Sequence, residues 1–83
     1  MAHVFFASGL RRLVGGAESV DVPARDVRAL FAALEARFPG LAEQLGGGIA
    51  VAIDGEILPR EEALLEPLLP DSEVHFLPQI GGG

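Results

Sequence analysis

The sequence predicts an α+β fold in which a mixed β-sheet packs on one main helix. Three observations carry that expectation. One apolar stripe at helical spacing runs through residues 26–38, and short runs of alternating apolar residues flank it on both sides. At 83 residues the chain is one small domain. A chain this short buries only about 60% of its unfolded surface, so one compact core is expected and a large cofactor cavity is not.

Each element follows from its residues. Val4-Phe5-Phe6-Ala7 is a strand signal ended by Ser8-Gly9, and Leu10 to Val14 reads as the start of a long loop closed by Gly15-Gly16. Val20 and Val22 alternate with Asp21, a second strand stopped by Pro23, so the first two strands form a hairpin. Val27, Leu30, Phe31, Leu34 and Phe38 then fall on one helix face, with Asp26 as N-cap and Pro39-Gly40 as terminator. Leu41 to Leu45 adds a short helical turn. Gly46-Gly47-Gly48 is a linker and not a phosphate loop, because it precedes a strand and no lysine follows. Ile49, Val51 and Ile53 alternate with alanines in a half-buried strand. Asp54-Gly55 signals a type I′ turn, and Glu56-Ile57-Leu58 returns to Pro59. Glu61 to Leu69 contains at most one helical turn. Asp71-Ser72 leads into the last strand, Glu73 to Leu77.

The order is strand, strand, helix, strand, strand, strand. Placing the helix across one sheet face buries its stripe, and the first and last strands then lie side by side in parallel. That arrangement is the β-grasp fold. Residues 1–78 form the domain, and residues 79–83 are a flexible glycine tail.

Composition excludes several classes. With 49% hydrophobic and 22% charged residues, the chain is too apolar for intrinsic disorder. A formal charge of −6 opposes binding to a phosphate backbone and suits a partner with a basic docking face. No run of the length needed to span a bilayer is present, and no secretory signal is visible, so a cytoplasmic protein without membrane association is expected. Cysteine is absent, which removes thiol chemistry and disulfides. All six basic side chains are arginine, so the chain cannot form lysine-linked polymers of itself. His3 and His75 read as surface histidines, and no metal site is expected because no third ligand has suitable spacing.

The ending is the most specific chemical feature. The last strand is followed by Gln79-Ile80-Gly81-Gly82-Gly83. Glycines thread a narrow slot and present an unhindered carboxylate, which ATP can adenylate and a sulfur or nitrogen nucleophile can then attack. Five residues beyond Pro78 reach at most roughly 17 Å, enough to enter a partner's pocket. In the last strand, Val74 and Phe76 are expected to face the helix, leaving His75 and Leu77 outward.

Four segments together resemble the ubiquitin-like sulfur carriers. They are Phe6-Ala7 with Leu10-Arg11 and Leu13-Val14-Gly15, the hairpin Val51 to Glu56, the strand Asp71 to Pro78, and the terminal glycines. The likeness covers the whole chain and is closest to the small, sulfur-carrying subunit of molybdopterin synthase, with the thiamin sulfur carrier more distant. Two features depart from that pattern: three terminal glycines rather than two, and Gln79 in place of a second proline.

The resemblance implies a function. A ubiquitin-activating-type adenylyltransferase would draw the tail into its ATP site and adenylate Gly83, and a sulfur donor would convert the adenylate to a thiocarboxylate. The carrier itself would bind no cofactor, since ATP belongs to the activating partner. Gly82 is the alternative reacting terminus. The sulfur would pass to a large molybdopterin synthase subunit, with the chain a reacting subunit and not a stand-alone enzyme. Gly81, Pro78, Leu77, Ile57 and Phe6 would contact the partners, Phe6 being favoured over Phe5 for the outward patch. Conjugation to other proteins as a modifier, or sulfur delivery to thiamin, cysteine, methionine or tRNA thiolation, are the alternatives.

Overall fold

The computed structural model describes residues 1–45 and 48–78. Five strands form one sheet: β1 (Ala2–Phe6), β2 (Ser19–Val22), β3 (Ile49–Ile53), β4 (Glu56–Pro59) and β5 (Glu73–Pro78). The helices are α1 (Val27–Arg37), α2 (Leu41–Leu45) and α3 (Arg60–Ala63). The segment expected to be a loop, Ser8–Val14, is instead a 3₁₀ helix, closed by Gly15 in the left-handed conformation.

The sheet order is β2-β1-β5-β3-β4. The first and last strands pair in parallel at its centre, with Val4 opposite Val74 and Phe6 opposite Phe76. All other pairings are antiparallel. Asp54 (φ 48°) and Gly55 (φ 94°) both take positive φ in the β3–β4 turn, as a type I′ hairpin requires. Asp54 tolerates this because its Oδ1 accepts the Glu73 amide at 2.9 Å. That bond, with one to the Ser72 side chain, holds the Asp54 carboxyl below its ordinary value.

Helix α1 begins where the sequence places it, with Asp26 Oδ1 accepting the Ala29 amide at 2.7 Å. Val27, Leu30, Phe31 and Leu34 are buried against Ala2, Val4, Phe6, Ile49, Val51, Val74 and Phe76. The aromatic centre of this core is Phe76. It stacks on Phe31 at 5.3 Å and meets Phe6 edge-on at 5.5 Å. Glu35 accepts the Gly40 and Ala42 amides, so one carboxylate ends α1 and caps α2, and this lowers its pKa. The segment after α3 crosses the start of α1, where Val27 N–H donates to Glu66 and Leu68 N–H donates to Arg25. Ala63 and Leu68 seal that side of the core. Among the described residues, no helix is long and apolar enough to cross a membrane.

At the edge of the sheet, His3 Nδ1 lies 2.7 Å from Asp21 Oδ1, joining β1 to β2. The hydrogen bond to Asp21 raises the His3 pKa above its ordinary value of 6.5. In the register, His3 sits opposite Glu73, and His75 sits opposite Phe5.

Two measurements check this packing. Leu34→Ala is expected to cost about 2–5 kcal/mol in urea unfolding, and Asp26→Ala about 1 kcal/mol. Because the bound proton on His3 favours the fold, that contribution is full below the ordinary histidine pKa and is lost as pH rises through the raised one. The unfolding midpoint of the wild type should therefore fall between about pH 6 and pH 8 relative to His3→Gln, whose midpoint should lack that component.

Candidate functional site

The site is built around the root of the tail. Strand β5 is held on both sides as far as Phe76, which pairs with Phe6, and on the β3 side as far as Pro78, which pairs with Ile49. The Ala7 amide adds a hydrogen bond of 3.1 Å to the Phe76 carbonyl. Pro78, the last described residue of the strand, is therefore anchored to the sheet. Gly81, Gly82 and Gly83 lie outside the described residues.

The sheet face away from α1 supplies the surroundings. Side chains alternate along each strand, so the register sets the rows. One row runs Ser19, Phe5, His75, Ala52, Ile57. The next, nearer the tail, runs Leu77, Ala50, Pro59. The Phe5 and His75 rings stack at 4.7 Å with 15° between planes. Ile57 is 65% exposed, an apolar residue open to a partner. Leu77 is half-buried on this face and Pro78 is exposed. A shallow hollow of about 320 Å³ lies between Phe5, His75 and Leu77 on one side and Arg11, Glu18 and Ser19 on the other. Arg11 frames it by donating from Nε to the Phe6 carbonyl at 3.0 Å, with Nη2 at 3.6 Å from Glu18.

Leu77 and Ile57 are thus placed in adjacent rows of the outward face, whereas Pro78 is in register with Ile49, on the strand face of Val74 and Phe76, and is exposed at the end of the strand. Phe6 is not among them, and its expected place in the outward patch is corrected. Its side chain is 2% exposed and packs on Phe76 in the core. Phe5 takes the outward position. The signal for this was in the sequence: Phe5 shares its strand face with His3, whereas Phe6 shares its face with Val4 and Ala2. Burying the first set would desolvate an imidazole, and burying the second costs nothing polar. The outward place of His75 follows the expected alternation, whereas its stacking on Phe5 and the part played by Arg11 were not legible, since they arise from a ring contact between strands and from a side chain folding back from the 3₁₀ helix.

The arrangement offers no general base poised over a bound substrate. Among the described residues no group of three His, Asp or Glu side chains is placed to hold a metal. What it offers is a strand anchored as far as Pro78 beside an apolar, partly aromatic face.

Comparison with solved structures gives the same topology. The chain is similar to CysO of Mycobacterium tuberculosis at a TM-score of 0.83 and 21% identity, covering 96% of this chain and 100% of that one. It is similar to a chain of the Amycolatopsis orientalis BexX/CysO complex at 0.84 and 22%, covering 100% of both. The small archaeal modifier protein 1 (SAMP1) of Methanosarcina acetivorans matches at 0.80 and 22%, covering 99% and 95%. At these identities the likeness establishes the β-grasp fold. A comparison with curated proteins returned no match. The ThiS family model, however, matches residues 4–83, nearly the whole chain. Fold, extent of match and the glycine-ended last strand agree, and the chain belongs to the ThiS family of ubiquitin-like sulfur carriers.

Proposed function

We propose that this chain carries sulfur as a thiocarboxylate on Gly83. The observation that best supports the reading is β5, paired with β1 as far as Phe76 and with β3 as far as Pro78, and continued in sequence by Gln79-Ile80-Gly81-Gly82-Gly83. In the proposed cycle, an activating adenylyltransferase docks on the Phe5–Ile57 face. A carboxylate oxygen of Gly83 attacks the α-phosphorus of ATP, and pyrophosphate leaves. A sulfide-level nucleophile from a sulfur donor then attacks the acyl carbon. AMP departs with the oxygen, and a C–S bond replaces a C–O bond. Gly81 and Gly82 let the segment pass a narrow channel, and this domain contributes position rather than acid–base catalysis. The cytoplasm, where ATP is available, is the proposed compartment.

For the acceptor, the resemblance to molybdopterin synthase small subunits supports a large synthase subunit holding a pterin precursor. A second reading is favoured by the likeness to SAMP1, whose name describes a modifier protein. In that reading the activated Gly83 is attached to an amine of another protein. The absence of lysine here would limit such attachment to single units.

Incubation with the activating enzyme, ATP and a sulfur source should make the intact protein heavier by the difference between sulfur and oxygen. Mass spectrometry reads this directly, and covalent adducts to other proteins would instead support the modifier. Deleting Gly82 and Gly83 should abolish the shift while leaving the fold intact. Substituting the outward face separates docking from stability. Phe5→Ser and Ile57→Ser should lower kcat/KM for adenylation on the order of tenfold without unfolding the domain. Phe6→Ala should instead cost about 3–5 kcal/mol of stability.

A further inference from the structure

The net charge of this protein is confined to one part of the chain. Residues 54–73 hold seven acidic residues and one arginine, which gives the entire −6, while the acids and arginines of the rest balance. The same stretch holds three large, exposed apolar side chains: Ile57, Leu65 at 79% and Leu69 at 70%. Ile57 belongs to the outward face described above. Leu65 and Leu69 do not. Both lie between α3 and β5 in the chain, and Leu69 is close to the start of β5, at the end opposite Pro78. The six residues of β5 put these two ends roughly 17 Å apart.

That opposite pole is concave. Leu69, Pro70, Asp71, Ser72 and Asp54 line an open hollow of about 370 Å³. Its floor is fixed rather than loose, because Leu69 N–H donates to the buried Ser72 Oγ at 2.8 Å and Asp54 accepts the Glu73 amide. The bonds from the Glu73 amide and the Ser72 side chain hold the Asp54 carboxyl below its ordinary value. The Asp71 side chain is 89% exposed at the rim. Glu61 and Glu62 are exposed on α3, beside Leu65 in sequence.

The geometry points to a second docking surface here, taking a partner protein through an arginine side chain set among apolar residues. The stem of such an arginine would lie on Leu69 and Pro70, with its guanidinium between the Asp54 and Asp71 carboxylates. Opposite charge favours a basic partner, and the same carboxylates disfavour a second copy of this chain or an anionic lipid surface. Since the surface lies at the far end of β5, its occupation leaves the tail and the Phe5–Ile57 face open. The inference therefore stands whether or not Gly83 carries sulfur.

The test uses the full-length, isotope-labelled protein. It is titrated with a capped amphipathic helical peptide bearing leucines flanked by arginines, and with the same peptide bearing glutamates instead. The arginine peptide should shift amides at Asp54 and Leu69 to Ser72, and the glutamate peptide should shift none. Leu69→Ser and Asp71→Asn, both at exposed positions, should each weaken binding about fivefold with the remaining spectrum unchanged. Deletion of Gly82 and Gly83 should leave binding as it is. Absence of binding would overturn the proposal, as would shifts centred on the Phe5–Ile57 face. Binding unaffected by Leu69→Ser would reduce the effect to general charge attraction and overturn it too. Attachment to zwitterionic vesicles through the leucines would show a membrane-facing surface in its place.

Discussion

The pairing of β5 between β1 and β3 is the constraint on which the rest of this structure depends. It brings the two ends of the chain together in the middle of the sheet, where both ladders of β5 are satisfied. Phe76 enters the core from this strand and meets Phe31 of α1 and Phe6 of β1. Sheet, helix and tail root thus share one residue's environment. Such pairing between distant segments closes last and costs loop entropy first, so the fold forms cooperatively rather than strand by strand.

From this constraint follows a division of labour between the two sheet faces. The inner face is committed to α1 and carries the stability. The outer face has no helix to cover it, and its apolar side chains are those of single, partly exposed residues: Phe5, Ile57 and Leu77 beside the small Ala50 and Ala52. A small domain can spare few apolar residues from its core. Their clustering in two adjacent rows, next to the point where the chain leaves the sheet, is what a docking face for a tail-inserting carrier needs. Charged groups cluster at the far end, where His3 meets Asp21 and Asp71 and pairs in register with Glu73.

Charge is uneven along the chain. On the outward face Arg11 is set against Glu18, while the acidic excess falls in the segment from the β3–β4 turn to the start of β5, of which Asp54 and Asp71 line the hollow at the pole opposite Pro78. An overall charge of −6 therefore does not describe the face that a tail-binding partner meets. The expectation of a basic docking partner, drawn from the net charge, transfers to the opposite pole.

The sequence by itself determined the periodic elements and their order. The stripe of α1, its Asp26 cap, the Asp54-Gly55 turn and the glycine ending all depend on local chemistry, which a linear reading captures. It also held, in the company of His3 and Phe5 on one strand face, the correct orientation of Phe6. Tertiary structure alone decided the 3₁₀ turn at Ser8–Val14, because a run of mixed residues takes its shape from the neighbours it packs on. It decided the Phe5–His75 stack and the Arg11 brace, which join residues remote in sequence. It also decided that Asp54, Leu69 and Asp71, unremarkable along the chain, line one hollow. Spatial convergence across strands has no period in the sequence, and only the closed sheet creates it.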